Sequence, residues 1–278
     1  MQGTTSGPTY SEPTQILLSN FDEAAAEPVK DGAIDVSSVA EGYAGVTAKA
    51  DSRLKFQVVN GSMSYNYDIP QNGEPIIVPM NMGNGSYQFR VMMNTSGSSY
   101  VELASVTKSV ALESEFAPFL RPNIFCEYGP DSACVAKAFD LARGAENEGD
   151  VVRDIYDWMT ANIKYDNGKA AELANTTGYV PDPDETYSKK SGICFDYASL
   201  AAAMFRSLGI PCKIITGYVS PNDIYHAWNL IYIDGSWVSA EISVEADEWC
   251  RVDLTFAASD GNNSTIGDGI NYTDRYVY

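Results

Sequence analysis

The stretch "SGICFDYASLAAAMFRSLGIPCK", Ser191 to Lys213, holds one cysteine at the start of a helix-forming run and a second just after the proline that ends it. Cys194 is open to four roles: apolar filler, half of a disulfide, metal ligand or nucleophile. A thiol attacks as thiolate. The unpaired N–H groups and the dipole of a helix's first turn favour that anion, and the same N–H groups can receive an oxyanion. Position therefore makes Cys194 a candidate nucleophile. Such a thiol usually needs a base with a pKa near neutral, and His226, in "YHAWNLIYI", is the chain's single histidine. A third group should orient the imidazole. Asp253, inside the β-rich run "EWCRVDLTFA", needs a partner there, because an unpaired carboxylate in an apolar strand is costly. Its competitors are Asp234, in the turn "IDGSW", and Glu241, in the middle of a strand.

These residues need elements to hold them. Leu200, Met204 and Leu208 mark an apolar helical face, Gly209 suits the residue past the helix end, and Pro211 forbids continuation. A helix is thus expected from about Cys194 to Leu208. Strands are expected at "CKIITGYV", "YHAWNLIYI", "SWVSAEISV" and "WCRVDLTFA". Alternation puts His226, Trp228 and Leu230 on one face and Ala227, Asn229 and Ile231 on the other. Upstream, "DSACVAKAFDLARGA" and "EGDVVRDIYDWMTANIKYD" read as helices; the second carries a stripe of Val152, Ile155, Tyr156, Met159 and Ile163. The long connection "NGKAAELANTTGYVPDPDETYSKK" is of a kind that is often functional.

From about Asp35 to Leu120 the pattern is β. Short strand-like runs flank Asn60-Gly61, a hairpin signal, and "NMGNG" and "NTSGSS" supply further turns. The expected class is α+β: a β-sandwich at 21–122, then helices and an antiparallel sheet at 123–278, with residues 1–20 a flexible leader. The polar tail from Ser259 carries no calcium-loop spacing.

A net charge of −19 argues against nucleic acid and anionic membrane surfaces as partners. No apolar run is long enough for a transmembrane helix. Five cysteines and one histidine make a zinc site a poor fit, and no cofactor is expected. Cys212 and Cys250 read as apolar fillers. Cys126 and Cys134 flank a Gly-Pro turn and could close a small disulfide in an oxidising compartment. The Gly/Ser/Thr/Pro-rich opening lacks a targeting pattern and reads as the mature part of an extracellular or lipid-anchored bacterial protein.

The order of cysteine, histidine and aspartate motifs resembles the transglutaminase-like superfamily, relatives of papain-type thiol enzymes. "GICFDYASLAAAMFRSLGIPCKIITGY", "HAWNLIYIDGSW" and "WCRVDLTFA" carry the resemblance, and "ANIKYD" and "YVPDPDETYSKKSG" extend it. It covers roughly Val151 to Ala258. It implies a Cys194–His226–Asp253 triad, with Asp253 rather than Glu241 as the match. Family members often add an aromatic donor to the oxyanion hole, for which Tyr187 and Tyr165 are candidates. The implied activity is a cysteine-dependent acyl transfer through a thioester, as peptidase, amidase or transglutaminase, on a protein or peptide substrate such as a cell-wall peptide. The contrasting expectation is a non-catalytic surface binding or scaffold module using the same fold.

Overall fold

The computed structural model describes residues 7–174, 176–219, 224–240, 242–245, 248–251 and 272–278. The chain divides into two compact units, Leu18–Ile124 and Met1–Leu17 with Phe125–Tyr278.

The unit Leu18–Ile124 is built from eight strands: β1 (Glu27–Val29), β2 (Gly32–Asp35), β3 (Tyr43–Ala48), β4 (Leu54–Asn60), β5 (Met63–Ile69), β6 (Ile76–Pro79), β7 (Gly85–Ser96) and β8 (Ser99–Val110). They form two antiparallel sheets, ordered β1-β2-β3-β6 and β5-β4-β7-β8. Period-two patterning explains the packing. Leu54, Phe56 and Val58 are buried on alternate positions of β4, as are Tyr87, Phe89 and Val91 on β7. Phe56 stacks on Phe89 with ring centroids 6.0 Å apart. The Asn60-Gly61 hairpin is present, with Gly61 at φ +60° in its turn.

The second unit carries the helices α1 (Ala133–Ala142) and α2 (Glu148–Asn162), then β9 (Lys164–Tyr165), α3 (Asn167–Leu173), α4 (Pro183–Lys189), β10 (Ser191–Gly192) and α5 (Cys194–Ser207). Strands β11 (Cys212–Val219), β12 (Ile224–Ile233), β13 (Ser236–Ala240), β14 (Ile242–Glu245), β15 (Glu248–Arg251) and β16 (Tyr272–Val277) follow. The architecture is α+β, as expected. The expected stripe of α2 is buried throughout, and an Asn147–Asp150 capping box starts the helix. Helix α5 ends where the sequence implies, with Gly209 at φ +78° just past it. It is buried on nearly every face, and Ala198, Ala201, Ala202 and Ala203 let neighbours approach closely. Its Arg206, also buried, donates from Nε to the Cys212 carbonyl at 2.8 Å.

Three features depart from the sequence expectations. The connection after Tyr165 holds two short helices, α3 and α4. The polar tail contributes β16, which pairs antiparallel with β11 and gives the sheet order β13-β12-β11-β16. The leader segment belongs to this unit: Glu148 N donates to Pro8 O at 3.0 Å and Tyr10 N to Glu146 O at 3.2 Å. Backbone pairing holds it there, and Tyr10 and Ile16 pack against the core of this unit.

Candidate active site

Cys194 is the first residue of α5, with Ile193 as its N-cap. Tyr197 N returns to Ile193 O at 3.1 Å, so the N–H groups of the first turn have no partner within the helix. The local backbone is held from below. Asp196, wholly buried, accepts from Ile193 N–H at 2.8 Å, from Lys169 Nζ at 2.6 Å and from the Tyr179 hydroxyl. Gly192 makes room for that carboxylate: a Cβ there would lie 2.6 Å from the Asp196 Cβ. Burial, then the hydrogen bond to Asp196, raises the Tyr179 pKa, so the phenol keeps its proton and donates.

Tyr165 is brought to the same place by β9, which pairs parallel with β10 so that Tyr165 stands opposite Gly192. Burial, then the negative charges of Cys194 and Asp196, raises its pKa. The Tyr165 phenol therefore keeps its proton. On the sheet side, His226 lies on β12 opposite Gly217 of β11. His226 is half-buried, while Ala227, Asn229 and Ile231 are buried. Trp228 is buried as well, its ring centroid 6.4 Å from that of His226.

Cys194, Tyr165 and His226 line one cleft of about 360 Å³. Ala170, Leu173 and Ala174 supply a further wall, with Tyr179 beside them. Thr216 and Tyr225 complete the sheet side, their hydroxyls 2.8 Å apart.

Tyr187 is placed differently. It sits on α4, where its ring stacks on Trp158 at 5.5 Å and lies 3.5 Å from Lys190 Nζ. It does not line the cleft. Asp253 and Glu241 lie outside the described residues. Asp234 occupies the β12–β13 turn at φ +49°, exposed, and adds to the burial that raises the Glu148 pKa.

Cys194 also differs from the other described cysteines. Cys126, Cys134 and Cys212 are free and buried, whereas Cys194 is partly exposed. The disulfide considered for Cys126 and Cys134 is not formed. Burial pushes the Cys126 thiol up to about 11 and the Cys212 thiol up to about 12. Among the described residues no group of three or more His, Cys, Asp or Glu could hold a metal ion, and no helix is long and apolar enough to cross a membrane.

Sequence reasoning passed over Asp196, Lys169, Tyr179 and Asn229. Asp196 had a readable signal, since it stands three residues after the N-cap, where a carboxylate can close back on the cap N–H. Asn229 shares a strand face with Ala227 and Ile231, and that face is buried, so its polar side chain must find partners.

Residues 135–253 match the model of the transglutaminase-like superfamily. Kyphoscoliosis peptidase of Mus musculus is 30% identical over 108 residues, which cover 35% of this chain and 16% of that protein. A UPF0252 protein of Archaeoglobus fulgidus is 27% identical over 116 residues, covering 37% of each. The chain thus spans well under half the length of these relatives. A solved structure of a provisionally assigned cysteine protease from Cytophaga hutchinsonii aligns with a TM-score of 0.38 at 19% identity, covering 71% of this chain and 73% of that one.

Proposed function

We propose that the protein is a cysteine-dependent acyl-transfer enzyme acting on peptide or glutamine-type amides through a thioester. The observation that carries this reading is one cleft lined by both a helix-N-terminal cysteine and the chain's single histidine. Cys194 Sγ attacks the carbonyl carbon as His226 takes the thiol proton. The oxyanion is received at the first turn of α5, with the Tyr165 hydroxyl as a further donor. His226 then protonates the leaving amine, and water or a second amine resolves the thioester. Asp253 orients the imidazole, on the strength of the motif resemblance. Kyphoscoliosis peptidase, a relative named for peptide cleavage, favours hydrolysis over cross-linking.

The test is alkylation with iodoacetamide near pH 6, with the adducts located by mass spectrometry. Cys194 should react far faster than the other four cysteines, and His226→Ala should slow it sharply. Slow and equal labelling of all five would leave the scaffold-module reading in its place.

A further inference from the structure

Helix α3 is unusual in this unit because none of its residues is buried. Apolar packing does not fix it; polar latches do. Asp166 caps it, accepting from Lys169 N–H at 2.9 Å and from Ser191 Oγ at 3.2 Å. Lys169 then reaches Asp196 at 2.6 Å, its Nζ 4.8 Å from the centre of the Tyr179 ring. Tyr179 closes the set with its own hydrogen bond to the same carboxylate. All three latches end on the β10–α5 junction that carries Cys194.

What α3 brings to the cleft is carbon. Ala170, Leu173 and Ala174 face the thiol's surroundings, joined by Phe195 from α5 and the ring of Tyr225, itself 49% exposed. Lys169 of α3 and Asp196 are bonded to each other. A charged substrate group entering here would lose water without gaining a partner from the wall, which is costly. An apolar side chain would instead bury carbon against carbon. The volume, about 360 Å³, is at the small end of ligand sites and suits one side chain and its backbone.

We propose that α3 and Tyr179, latched to the buried Asp196, form a specificity wall that selects peptides with an apolar, uncharged side chain beside the carbonyl attacked by Cys194. The proposal rests on the reading of Cys194 as nucleophile. Leu173 is the specificity-determining residue, and Asp196 is a positioning residue that acts through α3 and Tyr179.

Two alkylating peptides test it, acetyl-Ala-Leu and acetyl-Ala-Glu chloromethyl ketones, with iodoacetamide as a small reference. In each case the Cys194 sulfur attacks the methylene carbon. The S–C bond forms, the C–Cl bond breaks, chloride leaves with the bonding pair, and the thiol proton passes to His226. Rates are read as the Cys194 adduct and divided by the iodoacetamide rate of the same variant. The Leu reagent should lead the Glu reagent by about tenfold or more. Leu173→Lys, at a partly exposed position, should reverse or erase that ratio, which is already normalised to the variant's own iodoacetamide rate. Asp196→Asn should lower the ratio as well. Equal rates for the two ketones, or a ratio unmoved by Leu173→Lys, overturn the wall while Cys194 still takes iodoacetamide. Failure of iodoacetamide to mark Cys194 at all overturns the nucleophile reading, and the wall falls with it.

Discussion

The side-chain amide of Asn229 donates from Nδ2 to the Ala198 carbonyl at 2.9 Å, tying the strand of the histidine to the helix of the cysteine. Asn229 lies on β12 with His226, and Ala198 lies about one turn along α5 from Cys194. The same Nδ2 also reaches Lys213 O at 3.2 Å and Cys212 Sγ at 3.4 Å, so one buried amide joins α5, β11 and β12. Both walls of the cleft are thus referred to a single polar group in an apolar setting.

Removing that group should be costly twice over. Asn229→Leu keeps the volume but leaves buried carbonyls short of a donor, an expected loss of about 1–3 kcal/mol. Urea unfolding monitored by circular dichroism measures it. The iodoacetamide rate at Cys194 should fall too, because His226 is no longer held at its distance from the thiol. An unchanged unfolding midpoint would show that the amide does not carry this junction.

The two tyrosines considered for the oxyanion hole should behave differently. Tyr165 stands beside Gly192 with a raised pKa and lines the cleft, whereas Tyr187 is stacked on Trp158 away from it. Tyr165→Phe should lower hydrolysis of a leucine p-nitroanilide peptide by about 10²–10³-fold, the usual loss on removing an oxyanion donor. Its alkylation by iodoacetamide, which forms no oxyanion, should barely change. Tyr187→Phe should leave both rates near those of the parent protein. Equal losses in the two variants would remove the distinction between them.

Asp253→Asn addresses the third member of the implied triad. The variant should fold normally by circular dichroism and lose about 10⁴-fold in turnover of the same anilide, as expected when the imidazole tautomer is no longer fixed. Glu241→Gln is the control and should be nearly silent. If the effects are exchanged, the orienting carboxylate is Glu241.

What was legible in the sequence follows from what is local. The bounds of α5 could be read because Gly209 and Pro211 terminate it chemically, and the α2 stripe because its period is that of a helix. Cys194 and His226 stood out by type and scarcity. Helix α3 could not be read this way, since its 7 residues are too few for a helical period to declare itself and none of them is buried. Strand β16, "YTDRYV", hides among polar residues, and only pairing with β11 makes it a strand. The Lys169–Asp196 and Asn229–Ala198 contacts join residues far apart in the chain, so spacing alone does not announce them.

The buried thiols predict a pH dependence of stability. Burial raises Cys126 to about 11 and Cys212 to about 12, and it raises Cys134 as well, with the Asp184 carboxylate acting in the same direction. Cysteines in the unfolded chain titrate near about 8.5. Above that pH the unfolded chain has lost protons that the folded chain keeps, so stability falls as pH rises toward the folded pKa values. Below about pH 8.5 these groups contribute their full stabilisation. Each thiol adds a slope of at most about 1.4 kcal/mol per pH unit in the window above it. Tyrosines raised by burial, Tyr10, Tyr87, Tyr165, Tyr179, Tyr197 and Tyr225, ionise in the unfolded chain near about pH 10 and add a slope of the same sign, so the thiols are read in the lower window, about pH 8.5–9, and by comparison with a variant that lacks them. Urea midpoints taken across that window should decline steadily in the parent protein. The double variant Cys126→Ala/Cys212→Ala should be less stable at pH 7 because of the cavities it leaves, yet its decline should be shallower, with Cys134 alone of the three remaining. A decline of the same steepness in both proteins would mean that these thiols do not couple to folding.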